Sequence, residues 1–306
     1  MRPLRHILLI GALTAPAGLH AQGPPSAQAT AITTAPTIDG RLDEAVWGRL
    51  MPLAGFTQRE PSEGQPVSQR TEVRVAYDDA ALYIGASPLD DDVSSLVVGQ
   101  TLRDASLSDS DALVALPDTY LDRQNGFVFG TTPAGIEYDG QLAGEGVGGG
   151  GGGRQQRGSG GGFNRNWDGS WQVATTTDGE GWYAEMRIPF STLRYGAGGQ
   201  QDWGVNFERK IRRNSEQSMW APLPRQFDLN RVSLAGTIAL EAPAKRTVTL
   251  SPYLLADGFK DYQVTSAEVD YSRQIGGDVK IGLNQSLTLD LTVNTDFAQA
   301  EVDDQQ

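Results

Sequence analysis

The clearest periodicity in the chain lies between residues 166 and 213. In NWDGSWQVATTTDGEGWYAEMRIPF, Trp171, Val173 and Thr175 alternate with polar neighbours, Asp178-Gly179 supplies a turn, and Trp182, Ala184, Met186 and Ile188 alternate again. This predicts a hairpin with one buried face. Pro189 cannot donate to a ladder, so the second strand is expected to end there. Trp203, Val205 and Phe207 then resume the period of two. Three successive strands with aromatic inward faces predict one sheet of an antiparallel β-sandwich. Further upstream, Val73, Val75 and Tyr77 lead through Asp78-Asp79 to Leu82, Ile84 and Ala86, a second hairpin. Strands are also predicted at 112–116, 127–131 and near 232–240.

Between these runs the pattern breaks in informative ways. Residues 22–35 are Ala, Pro, Ser, Gln and Thr without periodicity, which predicts a flexible leader. Asp43 is placed to cap a short helix whose Leu42, Val46 and Leu50 face inward, with Trp47 beside them as a core plug rather than a sugar platform. Residues 140–162 are nearly pure glycine, a composition whose ordering entropy no packed structure offsets, so a mobile loop interrupting the sandwich is expected. A phosphate cradle is excluded, because the run neither follows a hydrophobic strand nor opens a helix with a Lys-Ser/Thr signature. Glu208, Arg209, Lys210, Arg212 and Arg213 read as an ion-paired outer face.

After Ala242-Pro243-Ala244 the texture changes. Val279, Ile281 and Leu283, then Leu287, Leu289, Leu291 and Val293, alternate strictly with polar residues around an Asn284-Gln285-Ser286 turn. Such a dyad suits a transmembrane β-barrel wall. Few strands cannot close a barrel, so residues 241–306 are expected to be its truncated front end; the soluble alternative is an edge hairpin packed on the sandwich.

Composition narrows the chemistry. Residues 1–21 carry Arg2 and Arg5, the apolar run ILLIGAL and a small-residue cut after Ala21, which predicts a secretory signal too short to span a bilayer. The net charge is −13, and losing that segment makes the remainder more acidic, which argues against a nucleic-acid partner. Both histidines, His6 and His20, lie in the leader, and cysteine is absent. A mature chain without imidazole or thiol has no Ser-His-Asp or Cys-His nucleophile and no ordinary zinc or copper site. Any metal would be calcium, held by oxygen ligands. Asp90, Asp91 and Asp92 are the candidate ligands, against the plainer reading of a solvated acidic loop.

The order WDGSW, GWYAEMRIPFSTLR, WGVNFER and MWAPLP, together with TIDGRLDEAVW and TEVRVAYDDAALYIGA, resembles the family 9 carbohydrate-binding-module-like domain at the front of a group of bacterial outer-membrane β-barrel proteins of the DUF5916 type. The resemblance covers residues 36–240, and the ending NTDFAQAEVDD resembles the start of the barrel in that group. It implies an all-β antiparallel sandwich, an exported protein of the periplasm and outer membrane, a polysaccharide or oligosaccharide ligand linked to carbohydrate catabolism, and structural calcium. Modules of this family clamp a sugar ring between two aromatic side chains. One clamp position falls at Ser106, Leu107 and Ser108, where no aromatic stands; the other falls at Trp220. Trp167 and Tyr138, on either side of the glycine run, are substitute platforms, and Asp111 is the polar candidate beside them, whereas Trp171 reads as core.

Three function classes follow: a carbohydrate-binding module; a periplasmic interaction or plug domain that binds no sugar; and a glycoside hydrolase using Asp111 with Glu137 or Glu185. Acidic residues are plentiful, so the catalytic reading stands last.

Overall fold

The computed structural model describes residues 23–146, 162–244, 248–259, 270–282 and 288–293. The expected signal segment, most of the glycine run and the 284–286 turn lie outside these residues.

In chain order the sandwich strands are β1 (Ser26–Gln28), β2 (Thr30–Ala31), β3 (Thr57–Glu60), β4 (Thr71–Tyr77), β5 (Ala81–Pro88), β6 (Ala112–Asp118), β7 (Gly126–Thr131), β8 (Tyr138–Ala143), β9 (Gly162–Asn164), β10 (Gln172–Thr177), β11 (Trp182–Pro189), β12 (Gly199–Ile211), β13 (Glu216–Met219) and β14 (Gly236–Ala242). A nine-stranded sheet has the order β1-β14-β12-β6-β7-β8-β9, with β13 and β3 extending from β12. A five-stranded sheet has the order β10-β11-β5-β4-β2. The fold is an all-β, largely antiparallel sandwich, as the alternation predicts.

Both predicted hairpins form, and each has an aspartate at its turn. Asp78 accepts the backbone N–H groups of Ala80 and Ala81 and the hydroxyl of Tyr83. Asp178 accepts those of Glu180 and Gly181. These are local side-chain turns that set the reversal before any long-range pairing. Strand β11 ends at Pro189, as its missing N–H requires. Between the sheets Val73, Ile84, Trp182, Met186, Trp203 and Phe207 form the main core. A second cluster covers the outer face of the larger sheet, around Met219, Leu223 and Val232. A third covers the outer face of the smaller sheet, where Trp47 lies over Gly85.

Five expectations are corrected. The strand carrying Trp203, Val205 and Phe207 does not continue the sheet of the hairpin before it; β12 belongs to the opposite sheet, pairing with β6 and β14. The leader is ordered from Ser26: β1 runs parallel to β14 and β2 parallel to β4, so it crosses from one sheet to the other with Ala29 buried between them. The segment around Trp47 is a 3-10 turn, Trp47–Arg49, without a side-chain cap from Asp43. The charge run at 208–213 is only partly outward. Glu208 and Lys210 pair at 3.5 Å, but Arg209 is fully enclosed. The first part of the glycine-rich stretch is also structured, since residues 140–143 belong to β8, which pairs with β7 and β9.

The C-terminal residues form a separate three-stranded antiparallel sheet of β15 (Val248–Phe259), β16 (Asp270–Gly282) and β17 (Thr288–Val293). Registers such as Leu254 opposite Ile275 and Val279 opposite Leu291 gather the apolar residues on one face. That face is open: Leu254 is 75% and Ile275 74% exposed. No helix among the described residues is long and apolar enough to cross a membrane.

Candidate functional site

Trp167 stands in the turn between β9 and β10. Its ring is half-buried, 5.1 Å from the ring of Phe127 and edge-on to Phe129 at 6.0 Å. Gly169 lets the chain fold back under it, since a Cβ at that position would sit 2.6 Å from the indole. The backbone N–H of Gly169 donates to Asp139 Oδ2 at 2.6 Å, so β8 fixes the turn that carries Trp167.

The same Asp139 begins a charged cluster. Arg103 donates from Nη2 to Asp139 Oδ1 at 2.8 Å and to Asp168 Oδ1 at 2.5 Å, donates from Nη1 to Glu137, and lies 3.6 Å from Asp104. Burial works against the Arg103 charge, yet the carboxylates of Asp139, Glu137, Asp168 and Asp104 outweigh it and raise its pKa. Asp139 is enclosed, and burial pushes its carboxyl above the usual range against the pull of the Gly169 N–H and Arg103. Asp168 and part of Arg103 remain exposed next to Trp167. A partly exposed aromatic residue beside fixed carboxylates and a guanidinium can stack on an apolar C–H face and exchange hydrogen bonds with hydroxyls.

The other sequence candidates are dispersed. Tyr138 neighbours Asp139 on β8 but points to the opposite face of the sheet, stacked on Phe163 at 6.1 Å with the Arg165 guanidinium 5.7 Å from its ring centre. It shares no surface with Trp167, which packs against the inward-facing Phe127 and Phe129. Trp220 is 5% exposed, edge-on to Phe207 and pressed against Gly236. Trp171 is buried against Phe129. Asp111 is enclosed, with its Oδ1 accepting the Arg212 N–H at 2.6 Å. It lies opposite the Ile211 end of β12, whereas Trp220 is tied by its N–H to Phe207 O, about 13 Å away along the strand. At the first clamp position Leu107 is buried in a 3-10 turn that the Ser106 hydroxyl caps.

Neither carboxylate set assembles a reaction centre. Glu185 accepts the Trp47 indole N–H at 2.7 Å and the backbone N–H groups of Asp39 and Gly40 at 2.9 and 2.8 Å. It therefore anchors the 39–47 segment to the outward face of the smaller sheet, while Asp111 lies on the inward face of the larger one. Glu137 is engaged by Arg103. Asp90 gives both oxygens to Arg213, at 2.7 and 2.8 Å, while Asp91 and Asp92 face solvent. The three adjacent aspartates do not converge, and among the described residues no group of three or more His, Cys, Asp or Glu is arranged to hold a metal ion. Arg103, Asp139 and Asp168 escaped the sequence reading because they meet across 36 and 65 residues without a local motif.

Residues 245–306 match the family model described as Domain of unknown function (DUF5916). No curated protein sequence matches the chain. Among solved structures, the chain is similar to a candidate carbohydrate-binding protein from Bacteroides uniformis, with a TM-score of 0.54 and 11% identity over 71% of this chain and 99% of that one. It is also similar to a family 9 carbohydrate-binding module from Caldicellulosiruptor kristjanssonii. In complex with glucose that module gives a TM-score of 0.45 and 15% identity over 72% of this chain and 96% of that one. In complex with cellotriose it gives 0.45 and 14%, over 72% and 94%.

Proposed function

We propose that residues 23–244 form a carbohydrate-binding module, of the family 9 type, in an exported protein whose C-terminal sheet engages the outer membrane. The observation that carries the sugar reading is the partly exposed Trp167 beside the Arg103–Asp139–Asp168 cluster. The sandwich supplies the scaffold but no activity by itself, since one fold serves many functions. In this reading Trp167 is the stacking platform and Arg103 and Asp168 meet the hydroxyls.

The test is a glycan array followed by calorimetry on the chain and two variants. Trp167→Ala is expected to lose roughly 2 kcal/mol or more of saccharide binding while keeping most of its stability. Trp220→Ala is expected to lose about 3–5 kcal/mol of folding stability through the emptied core site. Unchanged affinity in a folded Trp167→Ala chain would sink this assignment.

A second reading, an interaction or plug domain that binds no sugar, is favoured by the disassembled clamp: no aromatic at 106–108 and Trp220 enclosed. Silence of the folded chain across the array selects it.

The membrane part rests on the C-terminal sheet. Its apolar face is exposed, while the strand register sets Lys280 opposite Asp290 and Asp278 opposite Thr292 at the alternate positions. Apolar out and polar in at a period of two is how a strand meets lipid on one side and water on the other.

A further inference from the structure

The alternation that buries Trp203, Val205 and Phe207 on β12 also sends Arg209 inward, where none of its side chain is exposed. Its guanidinium lies 5.3 Å from the ring centre of Trp182. The Asp90 carboxylate comes no nearer than 4.0 Å, beyond hydrogen-bond reach. Asp111 is a diagonal neighbour, because Arg209 stands opposite Leu113 on β6. It is equally enclosed, and its Oδ1 is taken by the Arg212 N–H. Among the described residues, Nε, Nη1 and Nη2 of Arg209 and Oδ2 of Asp111 are buried atoms without a hydrogen-bond partner.

The neighbouring acceptors have partners of their own. Asp90 holds Arg213 through both oxygens, and Glu216 accepts the Ser68 N–H and the Ser218 hydroxyl, both through Oε1 at 2.9 Å. Enclosed polar groups in folded proteins have partners, from the protein or from ordered water. Here the donors sit on a guanidinium and the orphan acceptor on a carboxylate, so the partner must both accept and donate. An anion would meet Asp90, Asp111 and Glu216, and a metal cation would meet the Arg209 charge. A saccharide needs an opening that these enclosed atoms lack.

We propose that the Arg209–Asp111 layer is a built internal water site, in which water accepts from the Arg209 guanidinium and donates to Asp111 Oδ2. This stands apart from the sugar reading and survives its failure. Water there acts as part of the core, completing a polar layer between the sheets beside Trp182.

The test uses water-proton relaxation dispersion on the chain and on an Arg209→Met, Asp111→Leu double variant, which removes all four atoms. The expected result is a dispersion step from long-lived internal water that shrinks by at least one molecule's contribution in the double variant. An unchanged step in a folded variant overturns the proposal. If the variant fails to fold, a high-resolution crystal structure of the unaltered chain decides. Density within hydrogen-bond distance of both side chains is expected; a direct Asp111–Arg209 hydrogen bond with nothing between them overturns it.

Discussion

Glu185 shows how one side chain fixes a distant segment. Its two oxygens accept three N–H donors from residues 39, 40 and 47, in an enclosed position. A glutamine in its place offers one carbonyl oxygen and turns an amide donor toward another donor. Glu185→Gln is therefore expected to cost about 1–3 kcal/mol, read by denaturant unfolding. The carboxylate also carries a pH signature. Burial raises its pKa above the ordinary 4.5, against the pull of the Asp39, Gly40 and Trp47 N–H groups. A raised folded value means that the native state holds the proton longer than the unfolded chain does, so the contribution is full below 4.5 and is lost as pH rises through the folded value. Asp111, Asp118 and Asp139, raised by burial above 3.8, act in the same direction. The melting temperature is expected to fall as pH rises above 4.5, and less steeply in Glu185→Gln. A melting temperature that climbs to pH 8 would contradict this.

At the scale of elements, the hairpins were legible because each carries its own turn aspartate and a strict period of two. The leader was not, because β1 and β2 are three and two residues long and bury Ala29 alone, too little for periodicity to register. Their pairing is tertiary: Ala29 N–H donates to Ala239 O, Ile32 N–H to Tyr77 O, and Thr237 N–H to Pro25 O. Deleting residues 23–32 removes these three bonds together with the ladder bonds of β1 to β14 and β2 to β4, and is expected to cost at least roughly 3 kcal/mol at about 1 kcal/mol each, measured as a lower denaturant midpoint. A midpoint unchanged by the deletion would return the segment to the role of a spacer. Arg209 teaches a related lesson. The alternation read from Trp203 to Phe207 already pointed it inward, but charge composition argued for the surface, and the Trp182 ring and Asp90 that enclose it come from other strands. Likewise the Trp167 surface was half legible: the aromatic stood out, whereas Arg103 acquires meaning only when β8 brings Asp139 to it.

For the whole molecule, the two parts present opposite faces to their surroundings. The sandwich hides its aromatic residues between its sheets, while the C-terminal sheet leaves Leu254, Ile275 and Val293 largely exposed on a common face. An apolar surface of this kind marks a site of association, and in the membrane reading proposed above its partner is lipid. The expectation is that the chain floats with zwitterionic lipid vesicles in a density gradient, at salt high enough to screen charge attraction. Ile275→Lys with Leu254→Lys places two cations on the apolar face; each costs up to about 2–4 kcal/mol at the depth of the bilayer midplane and less near the interface. The doubly substituted chain should therefore stay with the soluble fraction. Thr292→Lys, on the alternate face, should float as the unaltered chain does. Equal flotation of all three would mean that the exposed face is not the one that meets lipid, and would leave packing against another protein surface as its role.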